Sequence, residues 1–227
     1  MHRWLIAMLM VLASLQAQSD MQSGANTAID LPEPRHTGTV SIEQTLAERR
    51  SVRSFAPGAL DLDQVAQLVW SAQGVTRRAD GLRTAPSAGA TYPLEIDLLV
   101  SGMAEIPDGV YRYDPGRHRL ERRIEGDLRR ALHDAALRQS PILAAPVVMV
   151  ISGQVSRTAR RYGARATQYM FLEAGHAAQN VYLQGVALDV GTVVIGAFHD
   201  HEVATRLQLR DGEQPLYILP LGRTASR

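Results

Sequence analysis

The order of hydrophobic patterns along this 227-residue chain predicts an α+β domain. Strand-like and helix-like segments interleave irregularly, not in strict βαβ order. Two alternating segments flank Asp114-Pro-Gly116, a turn signal, as the arms of a hairpin do. The stretch Thr167–Phe198 reads as one long helix, a glycine-containing turn and a short buried strand.

Taken in order, the chain opens with Met1-His-Arg, an apolar run from Trp4 to Leu15 and a small residue at Ala17. This is the form of a secretory signal peptide over residues 1–17. The run is short for a membrane span, which needs about 20 residues. Export to the periplasm or medium is therefore expected, with no stable membrane insertion; an uncleaved anchor and a cytoplasmic location are the alternatives. Residues 18–40 are polar with Pro32 and Pro34, and predict an arm with little structure of its own. Residues 41–227 predict one domain.

Ser41 with Gln44 has the form of a capping box opening a helix to about Arg50. Asp61 with Gln64 is a second box. It starts an amphipathic helix with Leu62, Val65, Leu68, Val69 and Ala72 on one side, stopped at Gly74. Residues 75–93 read as a loop of small residues and proline. Leu94–Val100 alternates as a strand, Gly109–Tyr113 and His118–Arg122 form the hairpin, Asp127–Arg138 is helical, and Pro146–Ser152 is a strongly apolar strand. Helix follows to about Leu188. Its Leu172, Gly175, Gln179, Tyr182, Leu183 and Val186 recur at three-to-four spacing, while Ala174, Gly175, Ala177 and Ala178 would let another backbone pack closely. A strand over Val190–Gly196, a short helix around Glu202–Leu207 and a strand at Leu216–Leu221 complete the elements.

Composition narrows the chemistry. Hydrophobic residues at 45% with 21% charge suit one globular core, and a net charge of +1 makes no case for binding nucleic acid or a membrane surface. There is no cysteine, which excludes disulfides, thiolate nucleophiles and iron–sulfur ligation. All 24 basic residues are arginine, which excludes Schiff-base lysine chemistry and a P-loop lysine.

Arg49, Arg50, Ser51 and Arg53 concentrate guanidiniums and a hydroxyl at a helix exit, able to converge on a phosphate or another anion with bidentate bonds; a solvated basic turn is the alternative. The small residues of Thr84–Pro93 would let backbone approach a flat ligand. Glu173-x-x-His176 has di-iron spacing but no second copy, so a structural pair within the helix is expected. His199-Asp-His201 is expected to start a helix with Asp200 as its cap, and no metal is expected there. Neither Ser51 nor Ser87 has an evident His/Asp partnership for a hydrolase triad.

Five motifs in sequence order carry a resemblance: Arg49-Arg-Ser-Val-Arg-Ser-Phe55, Pro86-Ser-Ala-Gly-Ala-Thr-Tyr-Pro-Leu-Glu95, Gly109-Val-Tyr-Arg-Tyr-Asp-Pro115, Leu172-Glu-Ala-Gly-His-Ala-Ala-Gln-Asn180 and Ile195-Gly-Ala-Phe198. From about Ser41 to Arg223 the chain resembles the nitroreductase family, and within it the SagB-type branch that includes azoline dehydrogenases of thiazole/oxazole peptide biosynthesis. The resemblance implies a mainly antiparallel central sheet flanked by helices, a long central helix, and a homodimer with FMN at the subunit interface. It implies hydride transfer through flavin N5 to or from a small-molecule or peptide substrate. NAD(P)H is a candidate electron donor. Cytoplasmic nitro or quinone reduction and a non-catalytic flavin-binding role are the alternatives.

Carried over by position, Arg49, Ser51 and Arg53 (with Arg50 between them) match the motif that holds the FMN phosphate, ribityl chain and pyrimidine end of the ring. Pro86, Ser87, Ala88 and Gly89 match the loop along the isoalloxazine. Ile195 and Gly196 match the backbone facing N5, and Arg223, placed just after the last strand, matches the basic residue over the phosphate. At the place of the Lys-Tyr pair of azoline oxidases stand Arg161 and Tyr162. Arginine holds its proton near neutral pH, so Tyr162 is the candidate acid/base.

Overall fold

In the computed structural model, residues 28–224 are described; the predicted signal segment lies outside them, as does the start of the arm. The frame is a seven-stranded sheet in the order β1-β6-β5-β4-β7-β9-β8. Its strands are Ala28–Asp30 (β1), Leu94–Val100 (β4), Gly109–Asp114 (β5), Arg119–Glu125 (β6), Val147–Gln154 (β7), Val190–Thr192 (β8) and Glu213–Arg223 (β9). Every pairing within it is antiparallel. Val75–Arg77 (β2) and Leu82–Arg83 (β3) form a separate small hairpin. The helices are Ile42–Glu48 (α1), Leu62–Gln73 (α2), Arg129–Ala135 (α3), Pro141–Ala144 (α4), Val155–Tyr162 (α5), Ala166–Ala187 (α6) and Asp200–Arg206 (α7).

Both sheet faces are covered. Val147, Met149 and Ile151 pack with α2 and α6, whereas Val148 and Val150 pack with α3, α4 and α7. A strand buried on both faces has no polar face to alternate with, which explains why β7 reads as a continuous apolar run. Within α2, Val65, Leu68 and Val69 are fully buried; each contributes about 1.5–3 kcal/mol by leaving water.

Local chemistry set several boundaries as expected. Asp61 and Gln64 form both arms of their capping box, and Gly74 ends α2. At Ser41 only one arm forms: its hydroxyl accepts from Gln44 N–H, while the Gln44 amide reaches Glu48 instead. Helix α1 ends at Glu48, short of Arg50.

Other expectations are corrected. Part of the arm is ordered, because β1 adds to the sheet edge along β6 and Leu31 N–H bonds to His118 C=O. The loop over 75–93 contains the β2–β3 hairpin. The helical segment 127–138 contracts to α3, followed by α4. The helix leading to Leu188 is interrupted at Gly163, whose φ is 53°, and divides into α5 and α6. The strand over 190–196 stops at Thr192 and resumes only as a bridge between Ile195 and Ile218. His199, not Asp200, holds the N-cap position of α7, and it makes no side-chain cap bond. Arg223 is the last residue of β9 and so lies inside the strand.

The buried face of α6 is also different. Met170, Glu173, Ala174, Ala177, Ala178, Val181 and Gly185 face inward, and Leu172 is 53% exposed. Small residues win the inner position because α2 and the sheet approach closely there. One buried ionic cluster ties the strands together: Arg112 donates to both Asp97 oxygens at 2.8 and 2.6 Å and to Glu213 at 2.8 Å. Burial alone would raise the Glu213 carboxyl pKa, but the Ser152 hydroxyl and the Arg112 guanidinium outweigh it and hold it below the usual range.

Candidate functional site

The predicted residues form two groups. In the first, the 49–56 segment lies along the β8–β9 edge. Val52 N–H bonds to Thr192 C=O at 2.8 Å, and Ala56 N–H bonds to Arg223 C=O at 2.9 Å. This close course needs Gly222, where a Cβ would stand 2.6 Å from the Phe55 ring. Tyr182 of α6 organises the segment. Its hydroxyl lies 3.2 Å from Ser51 Oγ and accepts from Val194 N–H at 2.8 Å, and the Arg49 guanidinium stacks 5.2 Å from its ring centre. Arg49, Arg53 and Arg223 are thus brought to one edge of the sheet, and none of the three forms an ion pair among the described residues. Arg50 is turned away: its Nη1 donates to the carbonyls of Ala47 and Arg49, closing the end of α1.

Ile195 and Gly196 follow Val194 in this first group. Ile195 spends both its N–H and its C=O on Ile218. Gly196 is exposed, and a Cβ there would meet only ordinary contact with the Tyr217 ring at 3.6 Å. Gly196 is therefore the residue of the pair with backbone open to a ligand.

The second group is the 86–92 turn, which is held in an unusual conformation. Gly89, Ala90 and Tyr92 have φ of 58°, 54° and 44°. Ser87 Oγ accepts from Tyr92 N–H at 2.8 Å, and Ala88 N–H donates to Glu173 Oε1 at 2.8 Å. Glu173 is thereby bonded outside its own helix, not to His176, which is exposed. Burial pushes the Glu173 carboxyl pKa up, against the Ala88 N–H and the Ser87 hydroxyl, which pull it down. Tyr162 closes over the turn: a Cβ on Gly89 would stand 2.8 Å from its hydroxyl and 2.9 Å from Arg161 Cδ. Only glycine fits.

Helix α6 separates the two groups. Glu173 and Tyr182 are nine residues apart, about 13 Å along the axis and about two and a half turns around it. They project from opposite sides, so one copy of the chain does not unite the 86–89 turn with the 49–53 arginines. A cavity of about 620 Å³ lies elsewhere, between the 35–40 segment, α2 and α6, and none of the predicted site residues line it.

The comparisons identify the family and the fold. A model described as the nitroreductase family matches residues 46–223. This chain belongs to the nitroreductase family. The protein MJ1384 of Methanocaldococcus jannaschii, which carries a nitroreductase name, is 40% identical over 200 residues, covering 88% of this chain and 98% of that one. The trifolitoxin operon protein TfxC of Rhizobium leguminosarum is 26% identical over 212 residues, covering 86% of this chain and 59% of its own. Among solved structures, a nitroreductase from Ralstonia eutropha superposes with a TM-score of 0.76 at 29% identity, covering 88% and 90% of the two chains. A chain of the Escherichia coli microcin synthetase McbBCD complex has the same fold, with a TM-score of 0.66 at 19% identity over 86% of this chain and 78% of that one. TfxC as a relative accords with the SagB-like branch.

Two organising residues were not read from the sequence as site residues. Tyr182 appeared only as one position in a helical stripe, and Glu173 as a helix-internal partner. Their bonds cross 131 and 85 residues of chain, beyond the reach of any local pattern.

Proposed function

We propose that this nitroreductase-family oxidoreductase binds FMN between two copies of the chain and exchanges a hydride with a small organic or peptide substrate. The observation that carries this is the set of Arg49, Arg53 and Arg223 guanidiniums on one sheet edge, without ion pairs among the described residues and opposite in sense to a phosphate and a reduced, anionic flavin. The donor set fits FMN. Arg49 and Arg223 would hold the phosphate, Ser51 the ribityl chain and Arg53 the pyrimidine end, with Gly196 offering backbone beside the ring. When bound, the flavin supplies the hydride chemistry at N5.

The second copy would supply what one copy lacks. Phe171 and Leu172 on α6, with Ile42 and Leu46 on α1, are each more than half exposed, and pairing through these helices would bury them. It would also carry the Pro86–Gly89 turn of one copy toward the arginines of the other. Ser87 and Ala88 spend their polar groups on Tyr92 and Glu173, so the turn would meet the ring with backbone and small side chains. The Tyr162 hydroxyl, held beside Gly89, would exchange a proton with the substrate.

Export through the 1–17 segment remains part of the proposal, with an electron donor suited to that compartment; N-terminal sequencing of secreted material tests it. For the main reading, protein purified with added FMN should be yellow and dimeric, and its colour should bleach with a competent donor such as NADPH. Colourless protein unable to take up FMN would overturn it. Leu172→Arg should yield monomers that bind FMN weakly.

A further inference from the structure

The region beside the Gly89 turn carries charge that the proposed hydride chemistry does not use. Between Asp134 and Glu173 the sequence has no acidic residue and five arginines, although the whole chain is almost balanced at 24 basic and 23 acidic residues. Arg157 is consumed by Glu95 and by Tyr92 C=O. Arg161 and Arg165 have no carboxylate partner among the described residues, and both are exposed.

They are nevertheless positioned. The Arg161 guanidinium lies 5.7 Å from the Tyr162 ring centre, and its Nη1 reaches Gly89 C=O at 3.4 Å. Tyr162 meets Tyr169 edge to face with ring centres 5.0 Å apart, and Arg165 lies 5.7 Å from the Tyr169 ring. The result is a ladder of guanidinium, phenol, phenol and guanidinium whose Arg161–Tyr162 end stands at the turn. A guanidinium has five donors in a planar fork, and Arg161 spends one of them weakly. Stacking on the rings limits side-chain motion, so less freedom is lost when an anion binds.

We propose that Arg161 and Arg165, carried on Tyr162 and Tyr169, form a carboxylate-binding lip over the Gly89 turn, so that this protein's substrate is an organic acid. This rests on the redox site lying at that turn. The anionic group would dock on the guanidinium forks, and the rest of the substrate would extend along the tyrosines toward Gly89. A neutral analogue of the same shape gains the ring contacts but not the charged bonds.

Calorimetric titration with benzoate and with benzamide tests this, using the full-length FMN-loaded protein and the same protein stripped of flavin. Benzoate should bind at least about tenfold more tightly, the equivalent of about 1.4 kcal/mol. Arg165→Gln, at an exposed position where folding is unaffected, should lose much of the preference, and Arg161→Gln with Arg165→Gln should erase it. Equal affinities for the two probes, or a preference that survives the double substitution, would overturn the lip. Protein that cannot take up added FMN yet still discriminates benzoate would overturn the flavin reading and support the carboxylate site. Protein that holds FMN without discriminating would overturn the site alone.

Discussion

Glu173 offers the most direct test of how this fold holds its 86–92 turn. Its carboxylate is 4% exposed and receives the Ala88 N–H at 2.8 Å, fixing the turn to α6. Glu173→Ala removes that acceptor and strands a partly buried N–H, which costs about 1–3 kcal/mol. For a domain of this size each kcal/mol lowers Tm by about 2–4 °C. Glu173→Gln keeps an acceptor oxygen and cannot ionise. The sign of the pH effect follows from the raised pKa of the wild-type carboxyl. The folded state holds its proton more tightly than the unfolded chain, so this contribution is fully present below the ordinary carboxylate pKa and is lost as pH rises through the higher folded value. Thermal melts followed by circular dichroism from pH 4 to pH 8 read both effects. Glu173→Ala should melt lower at neutral pH, Glu173→Gln should stay close to wild type, and acidification should stabilise wild type relative to Glu173→Gln. Amide exchange at Ala88 should quicken only in the alanine variant. A Glu173→Ala protein with wild-type Tm and unchanged Ala88 exchange would refute this role.

Other outcomes follow from the same geometry. Replacing Arg49 and Arg223 together by Gln should release FMN on gel filtration while leaving the melt near wild type; full retention would remove both from the phosphate site. Gly89→Ala should cost about 1–3 kcal/mol, because φ of 58° is strained for a residue with Cβ and that Cβ meets Tyr162 and Arg161; urea denaturation measures the loss. Arg112→Met should destabilise by about 3–5 kcal/mol by removing the guanidinium shared by two buried carboxylates, leaving Asp97 with Arg123 alone and Glu213 with no cation among the described residues. Because the Glu213 pKa is depressed, its contribution is present above the ordinary carboxylate pKa and lost as pH falls through the lower folded one. The difference between wild type and Arg112→Met should therefore narrow in acid; a constant difference would show that Glu213 is not held by Arg112.

The sequence alone determined what depends on neighbours along the chain. The Asp61 capping box, the Gly74 stop, the hairpin around Asp114-Pro-Gly116 and the strand over Leu94–Val100 are local, and they recur in the structure where the spacing placed them, although that strand is buried along nearly its whole length. The order of short motifs was enough to reach the family. Tertiary structure decided whatever depends on which side of an element meets another. The apolar spacing on α6 did not reveal that the alanine face goes inward and Leu172 outward, because that choice is made by the close approach of α2 and the sheet. The pairing of β1 with β6 was equally invisible, since three residues carry too little pattern to announce a strand. Most consequentially, the predicted site residues lie on opposite sides of one helix. A list of motifs has no direction around an axis; a helix of 3.6 residues per turn does, and nine residues of it put Glu173 and Tyr182 back to back.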